Sequence, residues 1–276
     1  MKRRGLLLLA ATAGCRRSQP AQAAFTLGAL AVASGLAHTS TADCAWARDE
    51  LASIAERVRV LHRQSQLSLA RSLRRALFDE LGFVREVAKP ELDFVLLPSV
   101  LRGRRGSCVG LGSLYLALAE ALGLAANGVL MPGHFYVRQS EPDRPNAAGE
   151  PSNVELLRRG EPMPAAWYQA RFPVPAGAGD YYARPLSTCE AHGVIAFDIG
   201  NEQRRAQRFS DARDAYQRAT QLFPRFADAH ASLGAALHLL GRYDAAAASY
   251  QAAQTLNPEL AGLRRNMALL AAERAR

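Results

Sequence analysis

Two residues of this chain are of the kinds, and in the places, that thiol chemistry requires. Cys108 stands near the head of an apolar run, G-S-C-V-G-L-G-S-L-Y-L-A-L-A-E-A-L-G-L over residues 106–124, and His134 follows the turn Pro132-Gly133 at the head of another. A cysteine and a histidine on two separate rigid elements can meet in a fold however far apart they lie in sequence, and together they are the minimum for nucleophilic thiol catalysis. A cysteine at a helix N-terminus faces unpaired backbone N–H groups and the positive end of the dipole, which favours the thiolate and offers donors to a developing oxyanion. Leu111, Leu114, Leu118 and Leu122 would bury that helix and so fix the sulfur. The competing reading is that Cys108 is a small buried hydrophobe.

The elements around this pair follow from apolar spacing. Leu51, Ile54, Ala55, Val58 and Leu61 recur at three- and four-residue steps within a helical stretch over residues 44–81. A second amphipathic segment runs through Leu67, Leu69, Leu73, Leu77 and Leu81, closed by Gly82. Residues 91–100 are an apolar piece that ends in the loop Arg102-Gly103-Arg104-Arg105. The short runs 127–130, 135–137 and 153–157, bounded by Gly and Pro, read as strands. The stretches 139–152 and 173–180, rich in Pro, Gly and polar residues, read as loops.

The last third repeats itself. With Ala227 as position one, Leu233-Gly234, Leu237, Gly241, Tyr243, Ala246, Tyr250, Ala253, Leu256 and Pro258 occupy a pattern that Ile199-Gly200, Phe209, Ala212, Tyr216, Ala219, Leu222 and Pro224 match 34 residues earlier. This resembles the tetratricopeptide repeat, two antiparallel helices with small residues where they cross. Residues 261–276 make one further amphipathic helix, expected to cap the array. Two repeats are fewer than the ~3 a free-standing solenoid needs, so they are expected to pack against the preceding domain.

Residues 106–124, followed by G-V-L-M-P-G-H-F-Y-V-R over residues 128–138, resemble the transglutaminase-like core shared by transglutaminases, related bacterial cysteine proteases and peptide N-glycanases. The resemblance covers roughly residues 67–186. It implies Cys108 as nucleophile, His134 as base, an amide or isopeptide substrate of protein or peptide, and a third residue, Asp, on the strand after the histidine. No aspartate stands in Asn153-Val154-Glu155. Asn153 is the expected substitute, since an amide oxygen can accept the imidazole N–H. Glu155, one alternation along on the same strand face, is the alternative. Either could instead be a surface polar residue of the strand.

The chain ends and composition bound the rest. Lys2, Arg3 and Arg4, the apolar run 5–13 and Gly14-Cys15 read as an export signal, and Ala11-Thr12-Ala13-Gly14-Cys15 resembles a bacterial lipobox that would lipidate Cys15. An ordinary signal cleaved later, after residue 23 or beyond the second apolar run 24–37, and a chain that is not exported are the alternatives. No run reaches the ~18–20 apolar residues of a spanning helix. If Cys15 is lipidated and Cys108 catalytic, Cys44 and Cys189 remain as a disulfide pair joining the ends of the core. Of the formal charge of +9, five positive residues lie in the first 17, and only the 102–105 loop approaches a basic patch, so no nucleic-acid partner is expected. Trp167-Tyr168 and Tyr181-Tyr182 are groove candidates, or packing aromatics. Cys189 and His192 have metal-like spacing but are two ligands only, and no phosphate loop or dinucleotide fingerprint occurs. No cofactor or metal is expected.

These readings give an α+β fold: a papain/transglutaminase-like core with a helical lobe and a small antiparallel sheet, then an all-α tetratricopeptide region. Residues 1–43 would form the export signal and lipoprotein tether, 44–190 the core, and 193–276 two repeats and the capping helix. The expected function is that of a cysteine hydrolase or acyltransferase, whether protease, amidase or transglutaminase, anchored by lipid in the bacterial cell envelope or periplasm. The alternative is an inactive scaffold that binds a protein through its repeats.

Overall fold

The computed structural model describes residues 24–36, 39–86, 91–140, 152–175 and 177–275. Cys15 and most of the expected loop 139–152 lie outside the described residues.

The helical lobe comprises α1 (Ala24–Gly35), α2 (Thr41–Gln64), α3 (Leu69–Arg74, continuing as a π-helical turn Arg75–Glu80), α4 (Leu97–Gly103) and α5 (Cys108–Leu122). Helix α2 opens with a capping box in which Ser40 accepts from the Asp43 N–H and the Asp43 carboxylate accepts from the Ser40 N–H. It buries Leu51, Ile54, Ala55 and Val58 of the predicted stripe and Ala47 besides, whereas Leu61 is only partly buried. The short ribbon of β1 (Val84–Arg85) and β2 (Arg105–Gly106) runs parallel and leads directly into α5. Residues 109–119 of α5 are buried without a break, so this helix is the axis of the lobe rather than one of its faces.

Helix α1 departs from the expected tether. Phe25, Ala29, Leu30, Val32 and Ala33 are buried in the main core, and the carboxylate of Glu120 on α5 accepts from the Phe25 and Thr26 N–H groups at 2.7 and 3.0 Å. Glu120 thus satisfies two of the donors that a helix start leaves open. The second apolar run is a structural helix, and the folded unit begins well before residue 44. Among the described residues no helix is long and apolar enough to cross a membrane.

The sheet is antiparallel, in the order β3 (Ala126–Met131), β4 (His134–Gln139), β5 (Ser152–Glu155), β6 (Glu161–Pro162). Met131 pairs with His134 across the Pro132-Gly133 turn, where Gly133 takes φ +70. A left-handed glycine after proline is what such a turn requires. The sheet packs on α5 so closely that a Cβ on Gly112 would lie 2.5 Å from the Phe135 ring. Helix α6 (Ala165–Arg171) follows the sheet.

The repeats are α7 (Thr188–Arg205) with α8 (Phe209–Leu222) and α9 (Ala227–Leu239) with α10 (Tyr243–Leu256), closed by α11 (Leu263–Arg274). Gly200 meets Tyr216, and 34 residues on Gly234 meets Tyr250. A Cβ at either glycine would fall 2.6 Å from that ring. Helix α7 starts at Thr188, inside the expected core, and its first half is buried against α1. Phe223, Phe226 and Ala229 belong to the same hydrophobic cluster as Leu114 and Val137, so core and repeats share one interior.

Candidate functional site

Cys108 is the first residue of α5. Ser107 precedes it as the N-cap, its hydroxyl accepting from the Gly110 N–H at 3.2 Å. The turn is locked from behind: the Ser107 N–H donates to the Phe94 carbonyl at 2.8 Å, and a Cβ on Gly110 would lie only 2.0 Å from that same oxygen. The Phe135 and Val109 backbones lie near enough to the Cys108 sulfur to favour its charged form. Phe135 is the residue after His134, so the thiol and the imidazole are brought to one place by the docking of α5 on β4.

His134 is almost wholly buried at the head of β4. Its Nε2–H donates to Glu155 Oε2 at 2.7 Å, while Glu155 Oε1 accepts from the Leu157 N–H at 3.0 Å. Phe172 stacks on the imidazole at 4.3 Å between centroids, and Tyr168 lies at 6.1 Å and stacks on Tyr136 at 3.8 Å. The ring is therefore held edge-on by a carboxylate and face-on by aromatics, and Nδ1 is the nitrogen left for the thiol.

The expected third residue is elsewhere. Asn153 Oδ1 accepts from Arg138 Nε at 2.9 Å and its amide nitrogen donates to the Met163 carbonyl at 3.3 Å. Register is the cause. Arg138 pairs directly with Asn153 and Val137 with Val154, so Glu155 comes level with Tyr136, one pleat from His134, while Asn153 lies two pleats away. Glu155, the alternative, is the residue that meets His134.

Burial reverses the expected effect of the helix N-terminus on Cys108. Its thiol is pushed up to about 12, first by desolvation and next by the negative charge of Asp198, and the N–H groups of Phe135 and Val109 offset only part of this. The thiol is neutral in this state.

A cleft of about 190 Å³ opens beside the pair. One wall is the core, with Cys108, His134 and Phe135; the other is built by Asp198, Asn201 and Arg205 of α7, with Asp228 of α9 near Tyr182. The hydroxyls of Tyr181 and Tyr182 both donate to Asp228 Oδ2, at 2.9 and 3.0 Å. These tyrosines therefore fasten the core to the repeats, and Tyr182 also reaches the cleft. Trp167 and Tyr168 pack around the sheet instead.

The α7 wall was missed in sequence, although a signal exists. Asp198, Asn201, Glu202 and Arg205 correspond, one repeat later, to Ser232, Ala235, Ala236 and Leu239. A face of Asp, Asn, Glu and Arg in one copy of a repeat, replaced by Ser, two Ala and Leu in the next, marks a surface with a special neighbour.

Other candidates fall away from the cleft. Cys44 is a free thiol whose sulfur is directed at the Leu30 carbonyl, so the expected Cys44–Cys189 bridge is not formed. His192 is buried, donates to the Phe25 carbonyl at 2.9 Å and has its proton affinity lowered by burial, which is a structural role. No group of three or more metal-binding side chains occurs among the described residues. In the basic loop, Arg102 pairs with Asp43 and lies over Trp46, and Arg105 pairs with Glu86. Those charges are taken up within the fold.

Comparison with known families agrees with this architecture. Residues 45–171 match the transglutaminase-like superfamily and residues 197–261 match the tetratricopeptide repeat. The chain carries a transglutaminase-like domain followed by tetratricopeptide repeats. No curated protein matches it. Cys108, His134 and Glu155 all fall within the transglutaminase-like segment, whereas Asp198, Asn201, Arg205 and Asp228 fall within the repeats. The cleft thus lies where the two families of structure meet.

Proposed function

We propose that the transglutaminase-like domain is a cysteine acyl-transfer enzyme acting on an amide or isopeptide bond of a protein or peptide. The observation that carries this reading is the buried 2.7 Å hydrogen bond from His134 to Glu155 beside the cleft into which Cys108 opens. Glu155 fixes the imidazole with Nε2 protonated, leaving Nδ1 to take the thiol proton as sulfur attacks the carbonyl carbon. The carbon–nitrogen bond breaks as the imidazolium returns that proton to the leaving amine. A water or a second amine then resolves the thioester, His134 again taking the proton. The Phe135 and Val109 N–H groups beside the sulfur are suited to hold the oxyanion.

The repeats supply the protein-binding part of this reading, since stacked helical hairpins present extended surfaces to partners. Export and a lipid anchor at Cys15 rest on Lys2, Arg3, Arg4 and the apolar run 5–13. We place the enzyme at the cell envelope on that basis.

The test is turnover. Quenched peptide amides, and incorporation of a labelled primary amine into a protein acceptor, should both be assayed for the chain and for Cys108→Ala with its fold verified by circular dichroism. Loss of activity in the variant supports the assignment, and equal turnover in both overturns it.

One feature of the site favours a second reading, an inactive scaffold: desolvation pushes the Cys108 thiol up to about 12, against a thiolate at rest. A peptide-like electrophile separates the two. Selective labelling of Cys108 near neutral pH belongs to the enzyme, and an inert Cys108 belongs to the scaffold.

A further inference from the structure

We propose that Tyr182, held by Asp228 of the repeats, is the specificity-determining residue of the cleft: it limits the substrate to one apolar side chain, no larger than a single ring, beside the bond that Cys108 attacks.

Tyr182 is fastened from two sides. On the sheet side, residues 183–186 lie along β3, the Ala183 N–H donating to the Leu130 carbonyl at 2.9 Å and the Leu186 N–H to the Gly128 carbonyl at 2.8 Å. This brings Tyr182 to the end of β3 at which Met131 pairs with His134. On the repeat side its hydroxyl donates to Asp228 Oδ2 at 3.0 Å. Tyr181 reaches the same oxygen at 2.9 Å, but its ring is buried against Phe223 and Phe226 and does not line the cleft. Successive side chains of an extended strand point opposite ways. Here the chain bends through residues 181–184, and Ala183 takes φ +58, a conformation alanine rarely adopts. Such backbone persists only where its surroundings impose it, and it clusters at ligand clamps. The Asp180–Arg225 ion pair at 2.8 Å ties the same segment to the repeats once more.

The size and lining of the cleft define what it admits. An apolar cavity of about 150 Å³ holds one benzene ring, so a cleft of about 190 Å³ has room for a single side chain. Leu130, Val194, Phe197 and Phe226 line it beside Tyr182. Most polar groups of the repeat wall are already engaged: Asp228 with the tyrosines, Arg205 with Glu202, and Asn201 Oδ1 with the Tyr216 hydroxyl at 2.9 Å. Asp198, in the same wall, stands against an acidic side chain.

The inference rests on the proposed function in taking Cys108 as the nucleophile. The full chain, Tyr182→Ala, Tyr182→Phe and Tyr181→Phe should be treated at pH 7.5 with peptide chloromethyl ketones that differ only in leucine, tryptophan or glutamate beside the ketone. The rate of Cys108 alkylation is read by peptide mass spectrometry. The parent should react with the leucine probe roughly tenfold faster than with either other, the discrimination expected of a pocket that one side chain fits. Tyr182→Ala should raise the tryptophan-to-leucine ratio roughly tenfold and leave the glutamate probe slow. Tyr182→Phe keeps the ring but loses Asp228, and should raise that ratio about threefold. Tyr181→Phe removes an equal hydrogen bond to Asp228 outside the cleft and should keep the parent's ratio; a merely structural tie would move the two Phe variants alike. A parent that prefers tryptophan or glutamate overturns the substrate class. An unchanged ratio in Tyr182→Ala, or equal ratios in the two Phe variants where the alanine variant does not fold, overturns the role of Tyr182 while the nucleophile reading stands. A Cys108 that no probe alkylates in any variant overturns both.

Discussion

Glu155→Gln keeps the shape of the side chain and removes the charge opposite His134. It should lower kcat/KM for amide turnover by about 10²–10⁴-fold, whereas Asn153→Ala, whose wild-type side chain serves Arg138 and the Met163 carbonyl, should change it by no more than a few-fold. The reverse order of effects would restore Asn153 as the third residue. Asp198 gives a prediction about stability. Its carboxyl is raised from 3.8 to about 6, so the folded state binds the proton more tightly than the unfolded chain. The penalty is absent below about pH 3, grows as the unfolded chain ionises and is complete above about pH 7. Asp198→Asn should therefore stabilise the protein by up to about 2–3 kcal/mol at pH 8 and by almost nothing at about pH 3, measured by urea unfolding at both values. A gain independent of pH would contradict the assignment. Cys108 and His134 were legible in the sequence because a turn and a helix start announce them. The choice between Asn153 and Glu155 was not. Alternation puts both on one face, and only the register of β5 against β4 decides which lies one pleat from His134.

At the scale of elements, the position of the thiol depends on a close backbone approach. A Cβ at Gly110 would meet the Phe94 carbonyl oxygen at 2.0 Å, a backbone atom that cannot swing aside. Gly110→Ala should destabilise by about 1–3 kcal/mol and displace the first turn of α5, with loss of selective Cys108 labelling. Gly123→Ala, at φ +73 in open space at the other end of the same helix, should cost about 1 kcal/mol and leave labelling intact. Equal labelling by the two variants would show that the turn tolerates the shift. The helices were legible from their apolar spacing, and the repeat from its Gly and Tyr positions. Helix α1 was not, because an apolar run near a signal-like N-terminus looks the same whether it is exported or buried. What distinguishes it is Glu120 on α5, which meets the α1 N–H groups only in the fold.

At the scale of the whole molecule, core and repeats share an interior that includes Phe223, Phe226 and Tyr181, and the cleft has one wall from each. They should unfold in one transition, seen at the same temperature by circular dichroism and tryptophan fluorescence, and a chain ending at residue 187 should fail to fold as a monomer. Two separated transitions would contradict the shared core. The expected docking of a short repeat array was legible from repeat number alone; that it would complete the cleft was not, because no sequence pattern tells which helix face meets which domain. The measurement that bears most directly on the account is the acyl-enzyme itself. The chain and its Cys108→Ala and His134→Ala variants should be incubated with an activated peptide ester, and the adduct located by mass spectrometry. The account predicts a hydroxylamine-sensitive thioester on Cys108, absent in Cys108→Ala and formed at least tenfold more slowly in His134→Ala. An adduct elsewhere, or one on Cys108 whose rate is indifferent to His134, would contradict it.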